Sequence, residues 1–405
     1  KPFLCCITPN APHGPFNVEP RYSDPYKDKT NETRSRFYGM ITNIDENFGK
    51  LRDEIENMGL SDNTILIFMT DNGTAGGVTL DDKGYGIDGY NAGMRGVKGT
   101  PYEGGHRVPF LLHWKDGNLL GGKDIDEVTA NVDFMPTLLD LCNVKVPTDR
   151  KFDGTSLKSL LNGDVDKLDD RAIVTDSQRV TDPIKWKDSC VIRGDYRLIN
   201  GKELYNVKED PEQRIDLSKL QVELVELLRA DYEKWWTHVS KQFAEDIPLY
   251  IGKDRTTMLN THDWRNEDCS CAWHQGLVRE ATICNGHFEV HFEEDGLYQF
   301  ELKRWPEETD HMIAGGIDPD NDVEYYSEGI EPRVEFFYSG SKILDIEKAQ
   351  LKIGEVEAET SVSKTDQSVV FEVELKKGPN RLQTYFTCSD GTVLGAYYVY
   401  AKLLK

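Results

Sequence analysis

An acidic residue and an amide lie side by side where a predicted strand ends. Asp71 and Asn72 follow the apolar run 64–69 after a single threonine, Thr70, and Gly73 comes next. A carboxylate beside an amide oxygen offers the hard oxygen ligands that Ca²⁺ or Mg²⁺ prefers, while glycine lets the backbone turn away at once. Taken alone, an Asx turn that ends the strand is the commoner explanation of this tripeptide, so both interpretations stay open.

Two further side chains that could act on an anionic substrate lie on constrained loops. Lys98 stands between glycines in the stretch 93–105, where an ammonium group could neutralise a tetrahedral oxyanion. His13 lies in segment 10–16, whose prolines and glycine exclude a helix, and it could bond to a substrate or protonate a leaving alkoxide. Either residue alone is more often a solvated surface group. Three such features after successive predicted strands nevertheless indicate a site.

The apolar pattern predicts the elements that position these residues. Residues 2–8 are predicted to form a buried strand, and apolar steps of four and three over 34–58 predict an amphipathic helix. Run 64–69 is typical of a central parallel strand covered on both faces, and 107–112 is a further strand. The order strand, helix, strand predicts a βαβ unit, with ligands bound outside the carboxyl ends of the strands.

Downstream patterns predict more helices and then mostly strands. A helix with proline in its first turn is expected over 132–142, and a longer helix over 216–243, whereas 247–275 is expected to be irregular. Glycine turns predict short antiparallel strands at 190–193, 196–199 and 203–205. Four domains or segments follow: a partial α/β core (1–165), a small antiparallel sheet plus helix (166–246), a connecting segment (247–276) and a C-terminal β-sandwich-like module (277–405).

Composition limits the classes of partner. The 405 residues carry a formal net charge of -23, which repels phosphate backbones and anionic lipid, so neither nucleic acid nor a membrane is an expected partner. No apolar run approaches the roughly 20 residues of a spanning helix. Eight cysteines are too sparse for a disulfide framework. Cys269 and Cys271 near His262 and His274 do not follow a usual zinc spacing, and free thiols or one disulfide are favoured over zinc.

Motifs along the chain resemble the formylglycine-dependent sulfatases of the alkaline-phosphatase-like superfamily, in particular bacterial arylsulfatases with an added C-terminal β module. The matching motifs are residues 11–15, 38–51 with Asp45, 70–73, 95–109, 132–137, 152–157, 203–212 and 395–400. Each motif is short and permissive alone, but their order and spacing together carry the resemblance. The implied fold is α/β, a partial alkaline-phosphatase-like α/β/α sandwich.

The resemblance implies hydrolysis of a sulfate monoester through a covalent enzyme–sulfate intermediate. Asp71 and Asn72 look like two ligands of a divalent cation, usually calcium. Lys98 resembles the lysine that bridges the sulfate and the leaving oxygen, and His13 the histidine that contacts sulfate and assists departure of the alcohol. Arg95 and Glu103 are similar to residues behind or at the rim of the substrate site.

One departure from the family concerns the nucleophile, a formylglycine made within a C/S-x-P-x-R motif. The sequence contains no such motif, and the nearest mimic, 23–27, has lysine for arginine and falls after the His13 loop, so we interpret it as a decoy. The expected explanation is a C-terminal portion of a sulfatase. A missing N-terminal segment would then carry the nucleophile and half of the metal ligands, and the chain alone would be inactive.

Two alternatives stay open for function. One is a non-catalytic, degenerate sulfatase that binds carbohydrate, and the other is a phosphate ester hydrolase of the same superfamily. The expected substrate is a small-molecule or saccharide sulfate ester, and the family resemblance points to a periplasmic or secreted protein. Aromatic and polar residues in 261–264 and 272–275, Trp264 among them, could line a sugar subsite, although packing is the commoner role of such tryptophans.

Overall fold

A computed structural model describes the chain at residues 1–146, 148–178, 180, 182–253, 255–266, 271–321 and 340–405. It divides into two compact units, the first built from Lys1–Arg179 and Ile184–Lys241 and the second chiefly from Gln242 onward. Within the described ranges, no helix has the length and apolar character needed to cross a membrane.

The first unit is a mixed α/β structure. Its described helices are α1 Pro20–Ser23, α2 Glu32–Asn57, α3 Glu103–His106, α4 Phe134–Leu141, α5 Lys158–Asn162 and α6 Val222–Val239. Its described strands are β1 Leu66–Met69, β2 Val78–Leu80, β3 Gly86–Gly89, β4 Phe110–His113, β5 Ile173–Asp176, β6 Ser189–Arg193, β7 Tyr196–Ile199 and β8 Glu203–Asn206.

The long helix α2 confirms the helix predicted over 34–58. It begins slightly earlier because the Asn31 side chain accepts a hydrogen bond of 2.9 Å from the Arg34 backbone N–H, which satisfies one of the free donors of the first turn. Its apolar face packs on the first strand, where the rings of Phe48 and Phe68 meet edge to face at 5.4 Å. The helix therefore supports β1 from one side.

The orientation predicted for the strand at 64–69 is wrong. β1 pairs with β4 in an antiparallel ladder that joins Leu66 to His113 and Met69 to Phe110, and the strand is only half-buried. A parallel pair needs a crossover, usually a helix, and the connection between these strands holds instead the β2–β3 hairpin and the single turn α3. The described residues consequently contain no βαβ unit here.

The strand predicted at 2–8 is not formed either. These residues have no regular secondary structure, and Phe3 and Leu4 are 67% and 88% exposed. A strand is held by a ladder of backbone hydrogen bonds to a neighbour, and no described strand lies beside this segment. The apolar composition of 2–8 therefore does not produce burial in this structure.

The small antiparallel sheet is confirmed, with order β5-β6-β7-β8. α6 packs on it, and Leu198, Leu204 and Leu228 form the shared core. The helix begins later than the predicted residue 216. The Asp216 carboxylate accepts hydrogen bonds from the Leu204 and Ser218 backbone N–H groups, and these bonds hold residue 216 in a turn that precedes the helix.

Helix α4 confirms the helix predicted over 132–142 and has Pro136 in its first turn. The Asp133 carboxylate just before it is fully buried. It accepts hydrogen bonds from the Ala130 and Thr155 backbone N–H groups, both at 2.9 Å, and pairs with Arg171 at 2.5 Å. This carboxylate fixes three segments of the first unit to one another.

The second unit is a β-sandwich, as predicted for the C-terminal part of the chain. Its described helix is α7 Gln275–Arg279. Its described strands are β9 Leu249–Ile251, β10 Thr257–Asn260, β11 His287–Phe292, β12 Gly296–Lys303, β13 Ile346–Ile353, β14 Val356–Ser361, β15 Val369–Leu375, β16 Gly378–Cys388, β17 Val393–Leu394 and β18 Tyr398–Leu403.

Two sheets enclose one core in this unit. Their orders are β10-β18-β12-β15 and β14-β13-β16-β11-β9, with β17 beside β16. Burial alternates along β11 and β15, which is the pattern of strands with one face on a core. The expectation of irregular structure over 247–275 is wrong for two short segments, because β9 and β10 each pair with a neighbouring strand and so enter the two sheets.

Candidate active site

The loop that leaves β1 presents Asp71 and Asn72. Asp71 is exposed and Asn72 is half-buried. The Asn72 side-chain amide donates a hydrogen bond of 3.0 Å to the Gly73 carbonyl, and the Thr70 hydroxyl donates one of 3.2 Å to the Asn72 carbonyl. Because Nδ2 of Asn72 is committed to the backbone, its Oδ1 is the atom left to bind a ligand.

Glycines allow a close contact between this loop and the Lys98 loop. A Cβ atom on Gly73 would overlap the Gly104 carbonyl oxygen, so only glycine fits there. The Gly73 N–H donates to the Gly105 carbonyl at 3.0 Å, and the Lys98 N–H donates to the Thr74 carbonyl at 3.0 Å. These bonds hold the backbone of Lys98 against the loop that carries Asp71 and Asn72.

The His13 segment is attached to the same loop through an aromatic residue. The Phe16 ring meets the Phe37 ring of α2 edge to face at 5.4 Å, and a Cβ on Gly76 would press against both rings. His13 itself is exposed, and its backbone N–H donates to the Asn10 carbonyl at 2.9 Å. The segments carrying the four predicted site residues therefore contact one another through their backbones and through Phe16.

The orientation of the His13 ring follows from one contact. Nδ1 lies 2.8 Å from the Gly14 carbonyl oxygen. A carbonyl can only accept, so Nδ1 carries the hydrogen in this contact, and Nε2 is the nitrogen left for a substrate. This arrangement suits a ring that gives or takes a proton at Nε2.

Arg95 is held by aromatic and carbonyl groups of the first unit. Its guanidinium lies 3.9 Å from the centroid of the Tyr102 ring, donates to the Lys83 carbonyl at 2.9 Å and donates to the Tyr205 hydroxyl at 3.0 Å. Its side chain is only 11% exposed. These contacts stabilise the Lys98 loop. A contact of Arg95 with substrate stays a prediction.

Glu103 anchors the far end of the Lys98 loop. Its side chain is 2% exposed and accepts a hydrogen bond of 2.6 Å from Nε of Arg197 on β7. Its backbone N–H donates to the Gln213 side chain at 2.9 Å. Burial lowers the pKa of the neighbouring His106, Glu103 opposes that effect and Arg197 adds to it. The buried ion pair joins the loop to the small sheet.

Sequence reasoning missed Arg197, Gln213 and Tyr205 as supports of the site. They contact the Lys98 loop across sequence separations of 94 to 118 residues. No local spacing signal connects positions so far apart. The only signal in the sequence is that all three have side chains able to form hydrogen bonds.

Trp264 lies in the core of the second unit. It is 8% exposed and its ring packs 6.3 Å from that of Phe288. This burial favours the packing role that was the commoner interpretation of the sequence. A contact of Trp264 with substrate stays a prediction with no exposed ring face in its support.

The donor chemistry of Asp71 and Asn72 fits a calcium ion in part. Both supply hard oxygen atoms, but calcium takes six to eight oxygen ligands. In the described part of the chain, no group of three or more His, Cys, Asp or Glu side chains is arranged to hold a metal ion. The two residues would thus form one side of a site. Cys269, which was considered above as a zinc ligand, lies outside the described residues.

Ser23, in the nearest mimic of the nucleophile motif, is placed as a structural residue. It is 4% exposed in α1, and its hydroxyl donates to the Pro20 carbonyl at 3.3 Å. A buried hydroxyl that is bonded to its own helix does not suit attack on a substrate. This agrees with its interpretation as a decoy.

Two family models match the part of the chain that contains the candidate site. Residues 1–144 match the model described as Sulfatase, and residues 98–230 match the one described as N-sulphoglucosamine sulphohydrolase, C-terminal. The two matches overlap at residues 98–144, a range that begins at Lys98 and includes α3. Residues 1–230 are therefore similar to sulfatases, the family that the sequence motifs resemble.

Curated relatives agree with this family. The chain is 32% identical over 163 residues to the Escherichia coli protein described as uncharacterized sulfatase YdeN, covering 39% of this chain and 26% of that protein. It is 30% identical over 198 residues to an arylsulfatase of Clostridium perfringens, covering 40% of this chain and 38% of that enzyme. The chain thus spans well under half the length of both relatives.

Solved structures give a partial match. The crystal structure of Ps i-CgsB in complex with k-i-k-neocarrahexaose is 26% identical, with a TM-score of 0.48 over 56% of this chain and 48% of that chain. A putative sulfatase yidJ from Bacteroides fragilis is 23% identical, with a TM-score of 0.44 over 59% of this chain and 55% of that chain.

Proposed function

We propose that this chain acts in the hydrolysis of sulfate monoesters, with sulfated sugars as the substrate class. The reaction adds water to R–O–SO₃⁻ and releases the alcohol and sulfate. The observation that carries the proposal is the 3.0 Å hydrogen bond from the Lys98 N–H to the Thr74 carbonyl. It fixes the backbone of Lys98 beside the loop of two oxygen-donor side chains, which supports capture of an anionic ester by the Lys98 ammonium group.

Lys98 would bind the sulfate group. Lys98 is half-buried, and backbone hydrogen bonds of Gly73, Gly104 and Gly105 hold the loop that carries it. An ammonium ion near the sulfate and the leaving oxygen neutralises the negative charge that develops as the S–O bond breaks. This contribution is greatest in the transition state, so Lys98 acts mainly on turnover.

His13 would assist the leaving group. Because its Nδ1 is bonded to the Gly14 carbonyl, Nε2 is the nitrogen that can give a proton to the departing alkoxide oxygen. The alkoxide of a sugar hydroxyl is a poor leaving group, so proton donation by His13 matters most for a saccharide sulfate ester.

Asp71 and Asn72 would hold one side of a calcium or magnesium ion, which when bound supplies positive charge at the sulfate oxygens. The attacking oxygen would come from a formylglycine encoded outside these 405 residues, since the sequence holds no C/S-x-P-x-R motif. Within this chain, the residues bind and orient the ester and move the proton to the leaving group.

Support for a sugar substrate comes from the second family model, whose description names an N-sulphoglucosamine sulphohydrolase. A periplasmic or secreted location goes with the proposed substrate class, because sulfated polysaccharides are extracellular.

The direct test is a substrate comparison with the native full-length protein. Sulfate release from an aryl sulfate and a sulfated monosaccharide, and phosphate release from the matching aryl phosphate, are measured with calcium present. We expect turnover of both sulfate esters and at least a hundredfold lower kcat/KM for the phosphate. Faster phosphate release would support a phosphate ester hydrolase. No turnover of any ester would support a degenerate sulfatase.

A further inference from the structure

A pocket in the second unit lies where β10 and β18 meet α7. It has a volume of about 280 Å³, and six of the residues that line it carry the argument: Asn260, His262, Trp273, His274, Gln275 and Tyr398. We call it the Trp273 pocket. We propose that the Trp273 pocket binds a neutral sugar residue of a polysaccharide. This goes beyond the proposed hydrolysis, to which it is not tied.

Trp273 is the central group of this proposal. It is 57% exposed, although tryptophan is among the side chains that gain most from burial. The flat ring of an exposed tryptophan in a pocket can cover the apolar C–H face of a pyranose ring, which removes apolar surface of both from water. Its exposure contrasts with Trp264 of the same unit, which is 8% exposed.

The pocket is built on a well-bonded frame. The Thr261 hydroxyl donates to the Ala272 carbonyl at 2.8 Å, and a ring nitrogen of His262 lies 2.9 Å from the Trp273 carbonyl. The His274 ring meets the Trp273 ring edge to face at 4.5 Å and also caps α7, because its Nδ1 accepts from the Gly276 N–H. The tryptophan is thus held in position before any ligand binds, which lowers the entropic cost of binding.

The polar groups around the ring indicate the ligand class. Amide, imidazole and phenol groups of Asn260, His262, Gln275 and Tyr398 surround the pocket, and they can pair with sugar hydroxyls as donors and acceptors. Among the described residues that line it, none is Asp, Glu, Lys or Arg. Without a fixed cation, in a chain of formal net charge -23, the pocket favours a neutral sugar over a sulfated one. The volume is near the lower end of the roughly 300–1,000 Å³ of ligand pockets, which suits one sugar unit.

The test measures binding without turnover. The full-length protein is run in native gels that contain dextran, galactomannan or xylan as neutral polysaccharides, or dextran sulfate. We expect at least one neutral polysaccharide to retard the protein and Trp273→Ala to weaken that binding at least tenfold. Tyr250→Ala is the matched control, because Tyr250 of the same unit is 53% exposed on β9, and it should bind as the native protein does.

Three results would overturn the proposal. These are no retardation by any neutral polysaccharide, retardation by dextran sulfate alone, and equal retardation of native protein and Trp273→Ala. A Trp273→Tyr variant, which keeps an aromatic face, should retain part of the binding and separates loss of stacking from loss of folding. Sulfate ester turnover is measured separately, so failure of the pocket leaves the proposed hydrolysis in place and failure of hydrolysis leaves the pocket in place.

Discussion

His13 and Asp71 are both exposed, yet the segments that carry them are tied to the rest of the first unit. The His13 loop is attached through Phe16, and the Asp71 loop through the backbone bond between Gly73 and Gly105. A side chain that is free to meet a ligand, on a backbone that is fixed, is a preorganised arrangement and not merely a solvated one. Exposure alone does not distinguish a preorganised side chain from a solvated one. The bonds to the neighbouring loops make that distinction.

Removal of the His13 ring should lower turnover in a way that depends on the leaving group. We expect His13→Ala to reduce kcat for a sulfated sugar by roughly 10²- to 10⁴-fold, because the poor alkoxide leaving group needs a proton. The loss should be much smaller for nitrophenyl sulfate, whose phenolate departs without one. Steady-state rates with both esters provide the measurement.

His113→Ala is the matched control for that variant. His113 is exposed and lies at the end of the β1–β4 ladder opposite to Asp71. The His113→Ala variant should therefore hydrolyse both sulfate esters at the native rate. Equal losses for the two esters in His13→Ala would contradict the role of proton donor.

Loss of the Asp71 carboxylate should lower calcium affinity. We expect Asp71→Ala to need at least tenfold more calcium for half-maximal turnover, because the ion loses one charged oxygen ligand. Turnover is titrated with calcium, and bound calcium is measured by elemental analysis. Asp62→Ala is the control, since Asp62 precedes β1 and forms an exposed pair with Lys115. Unchanged calcium content and turnover in Asp71→Ala would refute the assignment of this ligand.

At the level of elements, the buried pair of Glu103 and Arg197 joins the Lys98 loop to β7. Breaking one partner of a buried pair leaves the other charge without compensation in a place that water does not reach. The pair is therefore a link between the site and the small sheet, and its loss should be felt in stability and in turnover together.

Glu103→Gln tests that link. We expect it to lower the free energy of unfolding of the first unit by about 3–5 kcal/mol, since the Arg197 guanidinium stays buried without its carboxylate. Urea denaturation followed by tryptophan fluorescence measures the change. Glu233→Gln, which breaks an exposed pair with Lys185, should cost less than about 1 kcal/mol. Equal effects of the two variants would contradict a structural role for the buried pair.

His106 should make the stability of the first unit depend on pH. Burial lowers its pKa, so the folded protein holds it neutral where the unfolded chain already binds a proton. The unfolded state then binds more protons below about pH 6.5, and stability falls as pH drops, by at most about 1.4 kcal/mol per pH unit. Stability from this histidine is fully present at pH 7.5.

Urea midpoints at pH 7.5 and pH 5.5 measure that dependence. His106→Gln should show a smaller difference between the two midpoints than the native protein. The control is His238→Gln, since the His238 side chain is 67% exposed. A native difference that survives in His106→Gln would assign the pH dependence to other groups.

On the scale of the whole molecule, the sequence predicted elements better than it predicted their pairing. α2, β6–β8 and the sandwich follow from apolar periodicity and turn residues, which act over a few positions. The orientation of β1 against β4 depends on how the chain returns after an excursion of about 40 residues, and nothing in the strand itself encodes it. Strand 2–8 failed for the same reason, because a ladder needs a neighbour.

The residues of the candidate site show the same difference between local patterns and long-range contacts. Asp71, Asn72, Lys98 and His13 were predicted because each follows a local pattern of strand end, glycines or prolines. Their supports Arg197 and Tyr205 were not, because they reach the Lys98 loop from 94 and 110 residues away along the chain. Long-range hydrogen bonds leave no local pattern, so the structure was needed to find them.

The net charge of the molecule sets the task of Lys98. A chain with a formal net charge of -23 repels a sulfate ester at long range, so capture must rest on a local cation. Lys98, bonded through its backbone to the loop after Asp71 and Asn72, is the cation that the described site offers at that place. Capture of the ester therefore depends on Lys98 more than on any other residue of the described site.

Sulfate release from an aryl sulfate by the native full-length protein, Lys98→Ala and Lys123→Ala is the most direct test of the proposed site. Lys123 is an exposed loop lysine of the same unit and serves as the matched control. We predict that Lys98→Ala lowers kcat/KM at least a hundredfold with an unchanged unfolding midpoint, while Lys123→Ala matches the native rate. Full activity in Lys98→Ala would contradict the proposed site.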